Sequence, residues 1–343
     1  MTDKPIVLVV DDSPENVSVL SGVLRDDYKV KVALNGQKAI EIAESEPELA
    51  MILLDVIMPE MDGYEVCERL KSNPNTAMIP VMFVTTKERD IDEKFGFSLG
   101  AVDYITKPVS PSIVRTRVRT HIAMSDQSRS LDQKVRERTA ELERTRTQII
   151  HCLGRAAEFR DNQSGMHVFR ISNYSRLIAQ VINPNDHDWA DLVYHASPLH
   201  DVGKLGVPDS VLLKPSALNE QDWQVMRTHP AIGAEIIGEQ DSELMILAKE
   251  IALTHHERWD GSGYPNGLKG EDIPLAGRVV AVADVFDDLT CERPYKSAWS
   301  VEDAIEYISK ESGYHFDPKV VEAFHLVLGD ILAIHAKYKD PAS

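Results

Sequence analysis

Cysteine is scarce in this chain. Of its 343 residues three are cysteines, Cys67, Cys152 and Cys291, and no two of them form a Cys-x-x-Cys pair. A disulfide framework or a zinc ribbon needs closely paired cysteines, so the sequence favours neither. Widely spaced cysteines of this kind are typical of reduced packing residues, and we expect a cytoplasmic protein.

Basic charge is also in short supply. The chain has 37 Lys and Arg against 55 Asp and Glu, which gives a formal net charge of −18 at pH 7. Because binding to nucleic acid by counterion release needs a surplus of Lys and Arg, the composition argues against a DNA-binding protein. A phosphorylated ligand would have to be held by local positive charge, such as metal ions.

Long hydrophobic runs are missing as well. No stretch approaches the roughly 20 apolar residues of a membrane-spanning helix, and the apolar run after Met1 to Pro5 is too short for the core of a signal peptide. We therefore expect a soluble protein without membrane insertion. A chain of 343 residues is long enough for two domains, each with its own core.

The first third of the chain alternates short β-branched runs with amphipathic stretches. The runs are Ile6 to Val10, Lys29 to Ala33, Met51 to Leu54, Val81 to Val84 and Asp103 to Ile105. This alternation is typical of parallel strands with helices on both faces of the sheet. It predicts a doubly wound, five-stranded α/β domain over residues 5–122.

Neither Gly nor Pro occurs between about Met124 and Ile150, a region dense in charge. Apolar residues fall near heptad spacing at Leu131, Val135, Leu142 and Ile149, with Arg138 and Thr145 interrupting them. The pattern predicts a continuous linker helix over residues 123–150 that pairs with a copy of itself in a homodimer. A solvated single helix is the alternative. After it, helical periodicity without strand patterning predicts an all-α domain over residues 151–340.

Polar residues follow the predicted strands of the first domain. These are Asp11, Asp12, Asp55, Thr85 and Lys107. In an open parallel sheet the carboxyl ends of the strands gather the ligand-binding residues. Three converging carboxylates repel one another unless a hard cation lies among them, and such oxygen ligands suit Mg²⁺. Asp55 can then act as a nucleophile toward a phosphoryl group, with Lys107 neutralising charge and Thr85 donating a hydrogen bond.

These residues resemble the site of response-regulator receiver domains. The matching positions are the Asp11-Asp12 pair, Asp55 within the stretch 54–63, Thr85, Tyr104 and Lys107-Pro108. The resemblance implies that Asp55 accepts a phosphoryl group from a sensor histidine kinase and that Asp11, Asp12 and Asp55 hold Mg²⁺. It also implies a switch formed by Thr85 and Tyr104. We expect the Lys107-Pro108 bond to be cis.

A series of histidines and aspartates marks the second domain. The candidate metal ligands are His167, His200, Asp201, His229, His255, His256 and Asp284. Neutral imidazole binds transition metals well, and a carboxylate such as Asp201 can bridge two ions. Two neighbouring metal ions can activate water and grip a phosphate, which points to phosphodiester hydrolysis. Lys204, one predicted helical turn after His200, could contact a phosphate oxygen or the leaving group.

The second domain resembles the HD-GYP family, phosphohydrolases that degrade cyclic di-GMP. The stretches that carry the likeness are 200–204, 229–230, 255–265, 284–290, 293–296 and 313–318. The resemblance implies the seven metal ligands named above and contacts of Lys204, Arg293 and Lys296 with the ligand phosphates. It further implies a loop beside the site formed by Asp260, Gly261, Gly263, Tyr264 and Pro265, in which Asp260 and Glu257 orient the backbone rather than bind metal.

One position departs from the family pattern. Family members with three metals carry a Glu four residues before the first ligand histidine, where this chain has Gln163. A neutral amide is a weaker ligand than a carboxylate. We therefore expect two transition-metal ions, iron or manganese with other divalent metals as alternatives, while Glu158 or Asp161 could compensate at a third site.

The leading hypothesis is a cyclic di-GMP phosphodiesterase controlled by phosphorylation of Asp55, with Asp201 and Lys204 as catalytic residues and linear pGpG or GMP as products. One alternative is a cyclic dinucleotide sensor or protein-interaction module with little turnover. Another is a phosphodiesterase for a mixed GMP-AMP cyclic dinucleotide.

Overall fold

The computed structural model describes residues 4–86, 90–160, 165–292 and 298–339. The chain forms two compact units, Met1–Thr139 and Ala140–Ser343, which are described separately. The domain boundaries expected from the sequence, with a separate linker at residues 123–150, stay predictions.

The first unit is built on a parallel sheet. Its strands are β1 Ile6–Val10, β2 Lys29–Ala33, β3 Leu49–Asp55, β4 Val81–Thr85 and β5 Asp103–Thr106. Their order is β2-β1-β3-β4-β5, and every neighbouring pair is parallel. The helices between them are α1 Pro14–Leu24, α2 Gly36–Ser45, α3 Gly63–Ser72 and α4 Asp90–Ser98. This arrangement confirms the predicted doubly wound α/β fold.

Both faces of this sheet are buried. Along β1, Ile6, Leu8 and Val10 belong to one apolar cluster, whereas Val7 and Val9 belong to another. Successive side chains of a strand point to opposite faces, so the apolar run of β1 supplies two cores at once. Helices cover both faces, and the carboxyl ends of the strands are left as the edge at which polar side chains gather.

A long helix, α5 Pro111–Phe159, contains the predicted helical linker and has 49 residues. The boundary between the two units falls within it. Its heptad-spaced side chains are largely exposed, at 54% for Leu131, 62% for Val135, 70% for Leu142 and 55% for Ile149. An apolar stripe therefore runs along one helix that is otherwise rich in charge.

The second unit is helical in the residues described, as predicted. Its helices are α6 Met166–Ile182, α7 His187–Ala196, α8 Asp209–Leu212, α9 Glu220–Met226, α10 His229–Ile237, α11 Glu243–Thr254, α12 Leu275–Thr290, α13 Val301–Lys310, α14 Pro318–Leu326 and α15 Leu328–Lys337. Helix α12 is buried along most of its length, with α6 and α11 packed against it. Such central burial explains why its sequence is apolar nearly all round.

Within the described ranges, none of the helices combines the length and apolarity that crossing a membrane requires.

Candidate metal centre

The first ligand cluster lies where α6 begins and α12 passes. It consists of His167, His200 and Asp284, all buried, whose ligand atoms lie within 4.8 Å of one another. His167 Nε2 is 3.3 Å from Asp284 Oδ1, and His200 Nε2 is 3.7 Å from the same oxygen. The structure thus brings together three residues that are far apart in the sequence.

A second cluster surrounds the other side of Asp201. It consists of Asp201, His229, His255 and His256. Asp201 Oδ1 lies 3.2 Å from His229 Nε2 and 3.5 Å from His255 Nε2, while its Oδ2 lies 3.5 Å from His200 Nε2. The two oxygens of Asp201 therefore face different clusters, which is the geometry that a bridging carboxylate needs.

The distances between these atoms favour metal coordination over direct hydrogen bonding. Strong nitrogen-to-oxygen hydrogen bonds are about 2.7 to 3.2 Å long, and most of the separations exceed that range. Ligands about 2.1 Å from one metal ion lie roughly 3.0 to 3.4 Å apart. Among the described residues, the Nε2 atoms of His200, His229 and His255 and Oδ1 of Asp201 are buried without a hydrogen-bond partner. The donor set fits divalent transition metals.

Backbone carbonyls set the orientation of these rings. Nδ1 of His200 lies 2.8 Å from the Ser197 carbonyl, Nδ1 of His229 lies 2.8 Å from the Met226 carbonyl, and Nδ1 of His255 lies 3.1 Å from the carbonyls of Ile251 and Ala252. A carbonyl only accepts, so each Nδ1 must carry the proton. In a neutral ring held in this way, Nε2 presents its lone pair to the centre, as in protein metal sites.

The protonation states of the ligand side chains bear on metal binding. Burial lowers the pKa of His255 and lowers that of His256 well below its ordinary range, so both rings are neutral. Burial would raise the pKa of Asp201, but Lys204 and His200 hold it well below its usual value. The second cluster therefore presents two neutral imidazoles beside an ionised carboxylate, which is the protonation state that metal binding requires.

In the first cluster, burial would lower the pKa of His167 and of His200, but Glu158 and Asp284 raise the pKa of His167 to about 10 and Asp201 raises that of His200, so a metal ion would have to displace protons there.

His167 is fixed by a buried ion pair that the sequence interpretation missed. Its Nδ1 lies 2.7 Å from Asp287 Oδ2, and Asp287 is in turn held by Arg170 through Nε at 2.6 Å and Nη2 at 2.8 Å. The available signal was spacing, because Arg170 follows His167 by three residues and Asp287 follows Asp284 by three. Residues three apart lie on the same face of a helix.

The His200-Asp201 segment differs from the helix that was predicted for it. It forms two 3-10 turns, Ser197–Leu199 and Val202–Gly206, with His200 and Asp201 between them. A Cβ on Gly203 would lie 1.8 Å from the carbonyl oxygen of His229, so only glycine permits this approach to α10. Lys204 consequently lies beside Asp201, with Nζ 2.8 Å from Oδ2, rather than one α-helical turn along from His200.

The predicted loop lies next to the second cluster. The Tyr264 ring stacks on the His256 ring at 4.8 Å between centroids, and the Tyr264-Pro265 bond is cis. Glu257 is buried and accepts hydrogen bonds from the amides of Asn266 and Leu268.

The remaining loop residues shape the backbone. Asp260 accepts hydrogen bonds from the amide and hydroxyl of Ser262. Gly261 has a φ of 87°, and a Cβ on Gly263 would lie 2.3 Å from the Arg258 amide nitrogen. The carboxylate oxygens of Asp260 and Glu257 thus accept hydrogen bonds from groups of the loop itself.

Several predicted positions are not described. Arg293, Lys296, Asp161 and Gln163 lie outside the described residues. Of the three predicted phosphate-binding residues, Lys204 lies within the described residues, with Nζ 2.8 Å from Asp201 Oδ2, the oxygen that faces His200. Close by, the Arg227 guanidinium lies 5.9 Å from the centroid of the Tyr264 ring, a cationic neighbour that the sequence interpretation did not single out.

The first unit carries a separate acidic pocket. Asp11, Asp12 and Asp55 offer oxygens within 4.8 Å of one another. Lys107 Nζ lies 2.7 Å from Asp11 Oδ2 and 2.8 Å from Asp55 Oδ2, and the Lys107-Pro108 bond is cis as expected. Burial raises the pKa of Asp55 despite the opposing effect of Lys107. Oxygen ligands clustered in this way fit Mg²⁺.

The two predicted switch residues lie on neighbouring strands. Thr85 is buried at the end of β4, and β4 lies between Asp55 on β3 and Tyr104 on β5. The Tyr104 ring is half-buried. Its centroid lies 6.1 Å from the centroid of the Phe97 ring and 5.9 Å from the Arg117 guanidinium.

An acidic pocket at the end of a doubly wound sheet, followed by a helical unit with clustered histidines, defines a response regulator with an HD-type output domain. Family models agree, since residues 7–119 match "Response regulator receiver domain" and residues 138–320 match "HD domain". The HD match implies a divalent metal site in the helical unit. The chain belongs to the family of two-component response regulators that join a receiver domain to an HD-GYP domain.

Two curated relatives match this chain over more than 90% of its length, and a third matches over about half. A "Probable cyclic di-GMP phosphodiesterase" of Vibrio cholerae is 42% identical over 98% of this chain and 81% of the relative. A "Cyclic di-GMP phosphodiesterase response regulator" of Xanthomonas campestris is 36% identical over 92% of this chain and 86% of the relative. A "3'3'-cGAMP-specific phosphodiesterase" of Vibrio cholerae is 44% identical over 58% of this chain and 38% of the relative.

Proposed function

We propose that the chain is a metal-dependent cyclic di-GMP phosphodiesterase whose activity is controlled by phosphorylation of Asp55. The observation that carries the proposal is the position of Asp201, which offers one oxygen to each histidine cluster and holds Lys204 beside them. The two relatives that match more than 90% of this chain are named as cyclic di-GMP phosphodiesterases, which supports the same substrate.

Metal ions held here would activate water and neutralise phosphate charge. The chain's own residues supply orientation and protons. Imidazoles fixed by carbonyls keep their Nε2 atoms aimed inward, Asp201 lies between the clusters, and Lys204 Nζ can donate to a phosphate or leaving-group oxygen. A positioned cation of this kind stabilises charge that develops as the phosphodiester bond breaks.

We infer two metal ions, one for each cluster. Imidazole and carboxylate donors suit iron and manganese, and other divalent metals share that preference. Gln163 is the sequence argument against a third ion, since its amide replaces the carboxylate found in three-metal relatives. In the receiver domain, Asp11, Asp12 and Asp55 would hold Mg²⁺, and a histidine kinase would supply the phosphoryl group.

The expected product is linear pGpG, with GMP if a second bond is cleaved. A chromatographic time course on metal-loaded protein tests this and separates turnover from binding. Unchanged cyclic di-GMP that stays tightly bound would favour the sensor alternative.

A mixed GMP-AMP cyclic dinucleotide is a second candidate substrate. It is favoured by the 44% identity to the cGAMP-specific relative, which is confined to 58% of this chain. Competition between the two cyclic dinucleotides in one reaction decides between them, because the preferred substrate has the higher kcat/KM.

Control by phosphorylation would act through α5. We infer that a second copy of the chain covers the stripe of Leu131, Val135, Leu142 and Ile149, since exposed apolar residues at heptad positions fit knobs-into-holes pairing. Phosphorylation of Asp55 would change the pairing or twist of this helix and so the access to the metal centre. Equal rates for wild type, Asp55→Asn and phosphorylated protein would contradict this control.

A further inference from the structure

Glu158 is a buried carboxylate for which the proposed function has no role so far. It lies in the last turn of α5, is 1% exposed, and neither carboxylate oxygen has a hydrogen-bond partner among the described residues. Burying an ionised carboxylate without a partner is strongly unfavourable. Some cation must therefore neutralise it, or else a proton does.

The side chain faces the metal centre. Glu158 Oε1 lies 3.6 Å from His167 Nε2, and Asp284 Oδ1 lies 3.3 Å from the same nitrogen. One imidazole nitrogen is thus flanked by two carboxylates, both beyond the range of a strong hydrogen bond. The distance to Glu158 falls within the 3.2 to 3.7 Å that separate the other ligand atoms of the centre.

The nearest arginine on the same stretch of chain is engaged elsewhere. Arg160 donates to the carbonyls of Lys204 and Val207 and pairs with Asp209. Its guanidinium is thus bonded to the segment that follows the His200-Asp201 pair. Among the described residues, the basic side chain at ion-pair distance from Glu158 is therefore His167, a candidate metal ligand.

We propose that Glu158 is a metal ligand on the His167 side, because its Oε1 lies 3.6 Å from Nε2 of His167, which belongs to the cluster with His200 and Asp284. The inference rests on the metal centre of the proposed function and names one more of its ligands. The bound ion would be a divalent transition metal, because this side of the centre combines a carboxylate oxygen with imidazole nitrogens. Glu158 would also tie the end of α5 to the ion.

The test compares full-length wild type, Glu158→Gln and Glu250→Gln. Glu250 is a partly buried glutamate on α11 of the same unit, and burial alone raises its pKa, without an electrostatic contribution from a ligand histidine, so it is the control. Each protein is stripped with chelator and titrated with Mn²⁺. Bound ions are counted by mass spectrometry, and affinity is measured against a competing chelator.

We expect Glu158→Gln to lose one ion per chain or to bind it at least about 10-fold more weakly, because removing groups that support a metal site has effects of that size. Glu250→Gln should match wild type. The same count and affinity in Glu158→Gln as in wild type would overturn the role of Glu158 while leaving the metal centre intact. A wild type that binds neither Mn²⁺ nor Fe²⁺ would overturn both.

Thermal unfolding separates a ligand from a packing residue. With chelator present, Glu158→Gln should unfold at the same or a higher temperature than wild type, because an amide is less costly to bury than an unpaired carboxylate. With Mn²⁺ present, its gain in Tm should be smaller than that of wild type. An equal gain in both proteins would contradict the proposal.

Discussion

Arg170 donates a hydrogen bond to each carboxylate oxygen of Asp287 inside the helical unit, with Nε 2.6 Å from Oδ1 and Nη2 2.8 Å from Oδ2. Both side chains are buried, and Asp287 also binds Nδ1 of His167. The ion pair therefore determines how the imidazole of a metal ligand is oriented. Burial would raise the pKa of Asp287, but His167 and Arg170 lower it to about 2, so the carboxylate stays ionised.

Replacing Asp287 by Asn should weaken both stability and metal binding. The free energy of unfolding should fall by about 3 to 5 kcal/mol, since Arg170 is left buried without its counter-ion. Mn²⁺ affinity should fall by roughly 10- to 100-fold, because the orientation of His167 is no longer fixed. Urea unfolding in chelator and Mn²⁺ titration measure the two effects. Asp330→Asn, at an exposed position of α15, is the control, and wild-type values for Asp287→Asn would contradict the account.

Replacing Lys204 by Met should reduce turnover without reducing metal content. Lys204 Nζ lies 2.8 Å from Asp201 Oδ2, the oxygen that faces His200, and it is the cation proposed to stabilise the breaking phosphodiester. The kcat should fall by roughly 100-fold, the effect of removing one donor to developing charge. Lys249→Met removes a lysine that pairs with the exposed Glu239 and should leave kcat unchanged. If Lys204→Met binds less metal than wild type but turns over at the wild-type rate per bound ion, Lys204 supports metal binding and does not take part in the chemical step.

Much of the site was predictable because its residues are marked by local sequence. The receiver pocket follows from strand ends, since parallel strands bring Asp11 and Asp55 to one edge of the sheet. The histidine and aspartate doublets, with the resemblance they carry, pointed to both halves of the metal centre. The structure then assembles seven of these residues into two clusters.

Other features depend on packing that no local pattern contains. The pairing of Arg170 with Asp287 joins residues 117 apart in the sequence. The 3-10 geometry around Asp201 depends on the contact of Gly203 with the His229 carbonyl on another helix. Glu158 could be suspected from the sequence as a compensating carboxylate, but only the folded structure shows its Oε1 3.6 Å from His167 Nε2.

Buried His151 should make stability depend on pH. Among the described residues neither ring nitrogen has a hydrogen-bond partner, and the ring stacks on Phe169 at 4.6 Å. Burial, with help from His195 and Arg155, lowers its pKa from 6.5 to about 4. The unfolded chain therefore binds more protons than the folded chain between these values, and the contribution of His151 to stability is present above pH 6.5 and lost as the pH falls toward 4.

The comparison with His151→Phe isolates this effect, because phenylalanine keeps the stacking and cannot take up a proton. Tm should fall less steeply in His151→Phe than in wild type when the pH is lowered from 6.5 to 4. Parallel Tm curves for the two proteins would show that His151 keeps its ordinary pKa.

Asp55→Asn should abolish phosphorylation of the receiver. Asp55 lies with Asp11 and Asp12 and contacts Lys107, and the variant lacks the nucleophilic carboxylate. After incubation with acetyl phosphate and Mg²⁺, wild type should show a phosphate-dependent mobility shift on an affinity gel, and the variant should show none. Asp62→Asn changes an exposed carboxylate that caps α3 and should behave as wild type. A persistent shift in Asp55→Asn would place the phosphoryl group elsewhere.

Leu142→Glu should weaken self-association through α5. Leu142 is 70% exposed and lies at the centre of the apolar stripe, where a charge would be buried on pairing. Sedimentation velocity should show wild type as a dimer and Leu142→Glu shifted toward monomer. Ala140→Glu places the same charge two residues away on another face of the helix and should stay dimeric. A wild type that is monomeric at high micromolar concentration would rule out pairing.

The most direct test of the central claim measures metal content and products on the same sample. Full-length protein is loaded anaerobically with Fe²⁺ or Mn²⁺, its ions are counted, and its reaction with cyclic di-GMP is followed by chromatography. The account predicts bound metal together with linear pGpG, and no product from Asp201→Asn, which lacks the carboxylate shared by both clusters. Intact cyclic di-GMP after incubation with metal-filled protein, both unphosphorylated and phosphorylated, would contradict it.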